Sequence, residues 1–172
     1  MSTIIPYKSV APKIDPSVFI APTAAVIGDV EIGEGSSLWF STVVRGDFQP
    51  IKIGRNTDIQ DNATIHVMAD VPTEIGDEVI IGHNAIVHAR KIGNNCLICM
   101  GSIILVYTDL WDNVIIGAGT ILTQHKKIPS NSLVYGNPAQ IIRSLREDEL
   151  QALHDSAMNY QQVAENYKAE LL

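Results

Sequence analysis

Aliphatic residues recur at every sixth position through most of this chain. The series begins at Ile14, restarts at Ile53, Ile75 and Ile92, and ends at Val134. It contains 20 six-residue units, each opened by Ile, Leu or Val. When that residue is numbered position 1, position 5 is small or β-branched in most units and position 2 is often Gly. A large side chain then fills the interior, a small one fits the corner, and Gly permits the turn.

A period of six residues predicts an all-β fold, a parallel β-helix in which each unit contributes one short strand and a corner. Three units close one triangular coil, and successive coils stack about 4.8 Å apart. The 20 units therefore predict between six and seven coils.

The pattern changes after Val134. Turn residues "YGNP" follow, and "SLRE" at 144–147 fits a capping box. A narrow apolar stripe then recurs at spacings of three and four residues, at Leu150, Leu153, Ala157, Tyr160, Ala164, Tyr167 and Leu171. This spacing predicts an amphipathic helix. We expect a β-helix domain over 1–140 and a C-terminal helix over 141–172, part of the same domain, packed outside the β-helix and running back toward its earlier coils.

Two histidines fall at equivalent positions of neighbouring coils. Units three apart stack on one face, so the units that open at 44, 65 and 87 form one column. Their position-2 residues are Arg45, His66 and His88. His66 and His88 should therefore lie side by side, about one strand spacing apart, which suits two ligands of one metal ion.

His83 lies on the neighbouring face, above Gln60 and Asp61. One chain cannot easily bend His83 around the corner to join His66 and His88, but a second chain can supply it. Three prisms around a threefold axis bring one face of each chain against a different face of the next. The three irregular spacings in the repeat all follow the His66 and His88 column, as expected of a functional edge.

Charge and composition limit the binding partners and the cellular location that we expect of the protein. The net charge is −7 and there is no basic block, which argues against a nucleic-acid partner. The N-terminus lacks the pattern of a signal peptide, and no apolar run approaches the roughly 18 residues of a membrane span. The two cysteines, Cys96 and Cys99, make no disulfide framework and fit ordinary repeat positions. We therefore expect a cytoplasmic protein.

Several candidates have simpler explanations. A single histidine is more often a surface residue, and His125 and His154 have no stacking partner in the repeat. Arg45 and Asp47 of "RGD" form either a structural ion pair or part of a site. Tyr160 lies on the helix stripe, so packing alone would explain it. Trp39 and Trp111 occupy position 2 on other faces, which favours an interface or a helix contact.

The segments "VVRGDF", "IQDNATIHV" and "IGHNAIVHA", with "MGS" and "IIGAGT" after them, resemble the γ-class carbonic anhydrase family. The likeness is to short-loop bacterial homologues of the carnitine-operon and phenylacetate-pathway type and covers nearly the whole chain. It implies a left-handed β-helix homotrimer with three sites at subunit interfaces. It implies Zn²⁺, or Fe²⁺ or Co²⁺, held by His66, His83 and His88. It also implies site roles for Arg45, Asp47, Gln60, Asp61 and Tyr160.

The implied reaction is the reversible hydration of CO₂ to bicarbonate, a lyase reaction. Three neutral imidazoles leave the metal an open position, and bound water becomes a hydroxide nucleophile near neutral pH. Gln60 would orient the attack, and Asp61 would fix Gln60 or accept from the water. The family archetype has Glu where this chain has Phe48, and its acidic proton-transfer loop is replaced by "VMADVPTE". The alternatives are a CoA-thioester hydrolase, a hexapeptide acyltransferase using a lone histidine, or an inactive metal-binding homologue.

Overall fold

The structure, a computed structural model, describes residues 3–171 as a stack of short strands followed by one helix. The helix, α1, spans Glu147–Leu171. The strands are β1 Thr3–Ile5, β2 Lys13–Ile14, β3 Phe19–Ile20, β4 Ala25–Ile32, β5 Ser37–Leu38, β6 Val43–Ile53, β7 Asp58–Ile59, β8 Thr64–His66, β9 Thr73–Ile75, β10 Ile80–Ile81, β11 Ile86–Val87, β12 Lys91–Ile92, β13 Leu97–Ile98, β14 Ile103–Ile104, β15 Asp109–Leu110, β16 Val114–Ile116, β17 Ile121–Leu122, β18 Lys127–Ile128, β19 Ser132–Tyr135 and β20 Gln140–Ser144.

The strands form the three faces of a prism, and the pairing within each face is parallel up to β19. Face A contains β1, β8, β11, β14 and β17 with the first halves of β4 and β6. Face B contains β2, β9, β12, β15 and β18 with the second halves of β4 and β6. Face C contains β3, β5, β7, β10, β13, β16 and β19. This arrangement confirms the parallel β-helix of hexapeptide repeats.

The aliphatic residues of the repeat fill the prism. The side chains of Ile59, Ile65, Ile81 and Val87 are fully buried, and the flanking strand residues face outward or pack against α1. The first coil begins earlier than the repeat predicted, because Ile4 of β1 pairs with Val26. The spacing from Ile4 to Ile14 is ten residues, so a search for six-residue spacing does not find this strand. This irregular spacing connects face A to face B, as do the three irregular spacings identified in the sequence.

The corners of the prism place one residue in the left-handed region, with φ near +60°. Asn is the commonest residue there, with Ser and Gly at other corners. At three corners the residue with positive φ is instead a larger one, namely Glu78, Tyr107 or His125. Left-handed backbone strains most side chains other than Gly, Asn and Asp, so these three positions invite a functional or structural explanation.

Helix α1 packs on face C against β3, β5 and β7, so it runs back along the early coils as predicted. Phe19 and Trp39 of the β-helix contact Tyr160 and Tyr167 of the helix, with Trp39 and Tyr167 rings 5.2 Å apart. This confirms the helix contact expected of Trp39. Among the described residues, no helix has the length and apolar character needed to cross a membrane.

The predicted capping box at 144–147 is wrong. Ser144 belongs to β20, which pairs antiparallel with β19. The helix instead begins at Glu147, two residues after the start that a cap at Ser144 would give. The Glu149 carboxylate accepts a hydrogen bond of 2.9 Å from the Arg146 N–H. Arg143 donates two bonds of 2.7 Å to the same carboxylate, which ties the hairpin to the helix. These bonds hold the pKa of Glu149 at about 2.

Candidate metal centre

His66 and His88 lie side by side on face A, as the stacking of the repeat predicted. His66 ends β8, and His88 directly follows β11, its neighbour in the sheet. The rings meet edge to face with centroids 4.9 Å apart, and His66 Nδ1 lies 3.1 Å from His88 Nε2. Partial burial lowers the pKa of His88, and nearby positive charge, that of His66 when protonated and that of Arg45, lowers it further. The neutral imidazole that a metal ligand must present is thus favoured at His88.

Asp47 holds the other side of the His66 ring. His66 Nε2 donates to Asp47 Oδ1 over 2.8 Å, so Nδ1 carries the lone pair that faces His88. Arg45 pairs with the second oxygen of Asp47. Partial burial alone would raise the pKa of Asp47, but the His66 bond and the Arg45 charge together hold it below its usual value. Metal-binding histidines commonly have such a carboxylate partner, which fixes the tautomer and the ring orientation.

The His66 and His88 nitrogens fit a metal ion. Two ligands of tetrahedral zinc lie about 3.3 Å apart, since each Zn–N bond is about 2.0–2.1 Å long. The observed 3.1 Å separation is within a few tenths of an ångström of this value. His88 Nδ1 is buried and has no hydrogen-bond partner among residues 3–171. The pair provides two imidazoles; in the described part of a single chain, no three His, Cys, Asp or Glu side chains are grouped closely enough to hold a metal.

His83 lies at the corner between faces C and A and is partly exposed. Its Nδ1 lies 2.9 Å from Asp61 Oδ2, which leaves Nε2 free for another partner. The other Asp61 oxygen accepts a bond of 3.3 Å from the Phe40 N–H. We expected Asp61 to fix Gln60 or accept from water, but the structure shows it holding His83. Asp61 thus stands to His83 as Asp47 stands to His66.

Asp58, a buried carboxyl group two residues before Gln60, is at the centre of a second polar cluster, and its Oδ2 has no hydrogen-bond partner among the described residues. Asp58 Oδ1 accepts a 2.6 Å bond from the Ser37 hydroxyl and another from the Trp39 indole N–H. Burial raises the pKa of Asp58 to about 6, while these donors and the Gln60 amide favour its ionised form. No separate feature of the sequence indicates this cluster, although Ser37 and Asp58 occupy paired outward positions on face C. The stacking of those two positions was the signal that would have found them.

Tyr160 reaches the same cluster from α1. Burial and the Asp58 charge raise its pKa, the Gln60 amide opposes that shift, and the Asp61 charge adds to it. Tyr160 both packs, with its ring 6.3 Å from Trp39, and contributes to this polar cluster.

The two remaining histidines are exposed, as expected, but each has a partner that the repeat did not reveal. His125 stacks on Tyr107 with ring centroids 4.8 Å apart. His154 Nδ1 lies 2.7 Å from Glu78 Oε2, which joins the helix to a corner of the β-helix. Cys96 is buried in a small corner position and both cysteines are free, so the expectation of ordinary repeat positions is confirmed.

Comparison with known proteins places this chain among hexapeptide-repeat proteins. A family model described as the hexapeptide repeat of succinyl-transferase matches residues 72–105. A solved structure titled a putative acetyltransferase from Bacillus cereus is 40% identical, with a TM-score of 0.94 over 98% of both chains. That likeness extends over the helix as well as the coils.

Several curated relatives are named carbonic anhydrases rather than acetyltransferases. A carbonic anhydrase of Geobacillus kaustophilus is 42% identical over 96% of this chain and 91% of its own length. Gamma carbonic anhydrase 2 of Arabidopsis thaliana, a mitochondrial protein, is 38% identical over 93% of this chain. This chain spans 60% of the length of that relative. Because such identity extends over almost the whole fold, the chain belongs to the γ-class carbonic anhydrase family.

Proposed function

We propose that this protein hydrates CO₂ reversibly to bicarbonate, with a metal ion held between two chains. His66 and His88 of one chain and His83 of another would hold the ion, either Zn²⁺ or alternatively Fe²⁺ or Co²⁺. The observation that carries the proposal is the His66–His88 nitrogen pair at 3.1 Å, backed by Asp47. Relatives named carbonic anhydrase support the reaction.

The outer surface of face A supports a shared site. Its outward column next to the histidines contains Val43, Thr64 and then three isoleucines, Ile86, Ile103 and Ile121, of which Ile86 is 43% exposed. Aliphatic side chains in one row on an open sheet face indicate an interface. The third ligand, His83, lies at the opposite edge of face A with its Nε2 free. A homotrimer around a threefold axis would bring these two edges together.

The residues around the proposed ion have separate tasks. A Zn²⁺ ion there would lower the pKa of water so that hydroxide is available to CO₂ near neutral pH. Asp47 holds the proton on His66 Nε2, and Arg45 keeps Asp47 ionised. Asp61 orients His83, and Gln60 would orient the attack on CO₂.

Acyl transfer is the second candidate, because the Bacillus cereus neighbour is titled a putative acetyltransferase. That reaction would need one histidine as a base and a binding groove for coenzyme A. It gives no role to the paired His66 and His88 nitrogens or to the two carboxylates that hold His66 and His83. Hydrolysis of a CoA thioester at the same site is a related alternative.

Metal content and CO₂ hydration measured on one preparation test the proposal. We expect about one metal ion per chain, hydration that a chelator abolishes, and loss of both metal and hydration in His66→Ala. His154→Gln, at an exposed histidine outside the site, is the matched control and should keep both. A metal-loaded protein without hydration activity would contradict the proposal, and acetyl transfer from acetyl-CoA by that sample would favour the second candidate.

A further inference from the structure

The segment 67–72, between β8 and β9, is fastened at two consecutive residues. Gln49 Nε2 donates a bond of 3.1 Å to the Ala69 carbonyl oxygen from the preceding coil. Tyr107 Oη lies 2.9 Å and 3.2 Å from the two carboxylate oxygens of Asp70. We refer to residues 67–72 as the strap. Its exposed part is therefore held by side chains from coils on both sides of it.

Tyr107 is itself held by His125, which occupies the same corner of the next coil. The two rings are stacked with centroids 4.8 Å apart and planes only 5° apart. Both residues adopt left-handed backbone, with φ of 59° for Tyr107 and 61° for His125. Such backbone is uncommon for these residue types, and strain of this kind persists where the surrounding structure gains from it. The contact with Asp70 raises the pKa of Tyr107, which keeps its hydroxyl a donor.

The strap passes beside the histidine pair. It leaves β8 directly after His66, and it is fastened to Tyr107, which follows β14. Between β8 and β14 on face A lies β11, which ends immediately before His88. The Asp70–Tyr107 bond therefore spans the coil that carries His88. On the other side of the pair, Phe48, next to Gln49, lies with its ring 5.9 Å from His66.

We propose that the strap borders the histidine pair and call this role the rim. The hydrogen bond from the Tyr107 hydroxyl to Asp70, which we call the latch, holds the strap in place. The Tyr107–His125 stack supports the latch. The latch holds the segment after His66 rigid and slows the loss of a metal ion bound at the histidine pair. The role as a rim rests on the proposed metal site, whereas the latch itself is a property of the chain alone.

Amide ¹⁵N relaxation in solution tests the latch without reference to metal or activity. In the wild-type protein, Ala69, Asp70 and Val71 should have order parameters of a rigid backbone, about 0.85. Tyr107→Phe removes only the hydroxyl, and these values should fall below about 0.6. His125→Ala should lower them as well, because the Tyr107 ring loses its support. Tyr135→Phe, an exposed tyrosine far from the strap, is the matched control and should change nothing.

The rate at which a chelator removes metal tests the rim. Tyr107→Phe should speed metal loss roughly fivefold, as expected when one partly exposed bond to a charged group is removed. Unchanged order parameters in folded Tyr107→Phe would overturn the latch. Lower order parameters with an unchanged rate of metal loss would overturn the rim. If the purified protein binds no metal, the proposed function and the rim fail together, and the relaxation data still decide the latch.

Discussion

At the scale of single residues, the site depends on carboxyl groups that hold other side chains. Asp47 holds His66, Asp61 holds His83, and the buried Asp58 binds side chains of face C. A carboxylate held against an imidazole fixes which atom of that group faces the site. Replacing each carboxylate should therefore alter the site without removing any proposed metal ligand.

Asp47→Asn should weaken metal binding by about 10-fold to 100-fold, the usual effect of losing a carboxylate behind a metal-binding histidine. The amide can still bond to His66, but it supplies no charge to favour the ligand. Competition with a coloured chelator measures the change. Asp155→Asn, at an exposed helix position, is the control. Equal affinity in Asp47→Asn and wild type would show that Asp47 serves only the Arg45 ion pair.

Asp58→Asn should change how stability depends on pH. The pKa of Asp58 is raised to about 6 in the folded protein, above the unfolded value of 3.8, because the carboxyl is buried. The folded state therefore binds more protons between these values, and Asp58 lowers stability as pH rises from about 4 to 6. The wild-type free energy of unfolding should lose up to about 3 kcal/mol relative to Asp58→Asn across that range.

Urea unfolding of both proteins at pH 4 and pH 7, at one protein concentration, measures this difference. The comparison cancels the other carboxyl groups, which both proteins share. A difference between the two proteins that is the same at both pH values would contradict the raised pKa of Asp58.

At the scale of elements, unusual corner residues attach additional segments to a regular prism. Asn95 donates to Asn113, and Asn113 donates to Asn131, in a ladder of amides along one edge. Glu78 occupies the next position below Asn95 and instead pairs with His154 of α1. Tyr107 and His125 break the same rule at another edge, where they hold the strap.

Glu78→Asn should release the N-terminal part of α1 while extending the amide ladder. Glu78 raises the pKa of His154, so the contact stabilises docking of the helix below the ordinary pKa near 6.5. That contribution is lost as pH rises through the raised pKa of His154. An NMR titration should find the His154 pKa above its ordinary value in wild type and back near it in Glu78→Asn. An unchanged His154 pKa in the variant would contradict the contact.

At the scale of the whole molecule, the sequence was sufficient to predict most of the fold but not the polar clusters around the site. The six-residue period predicted the parallel coils, and the column count alone brought His66 and His88 together, because a sheet stacks equivalent positions at a fixed distance. Tyr107 contacts Asp70 in an irregular segment between strands, and Glu78 contacts His154 in the helix. The six-residue period carries no information about either contact. Asp58 was missed because its role follows from burial beneath α1.

Mixed trimers test the central claim, a metal site shared between chains, most directly. His83→Ala and His88→Ala chains should each bind little metal alone. In a trimer that contains both, one interface pairs an intact His66–His88 with an intact His83. Random mixing of equal amounts should then restore about one quarter of the wild-type metal per chain. Co-expressed variants with metal content no higher than either variant alone would contradict the account.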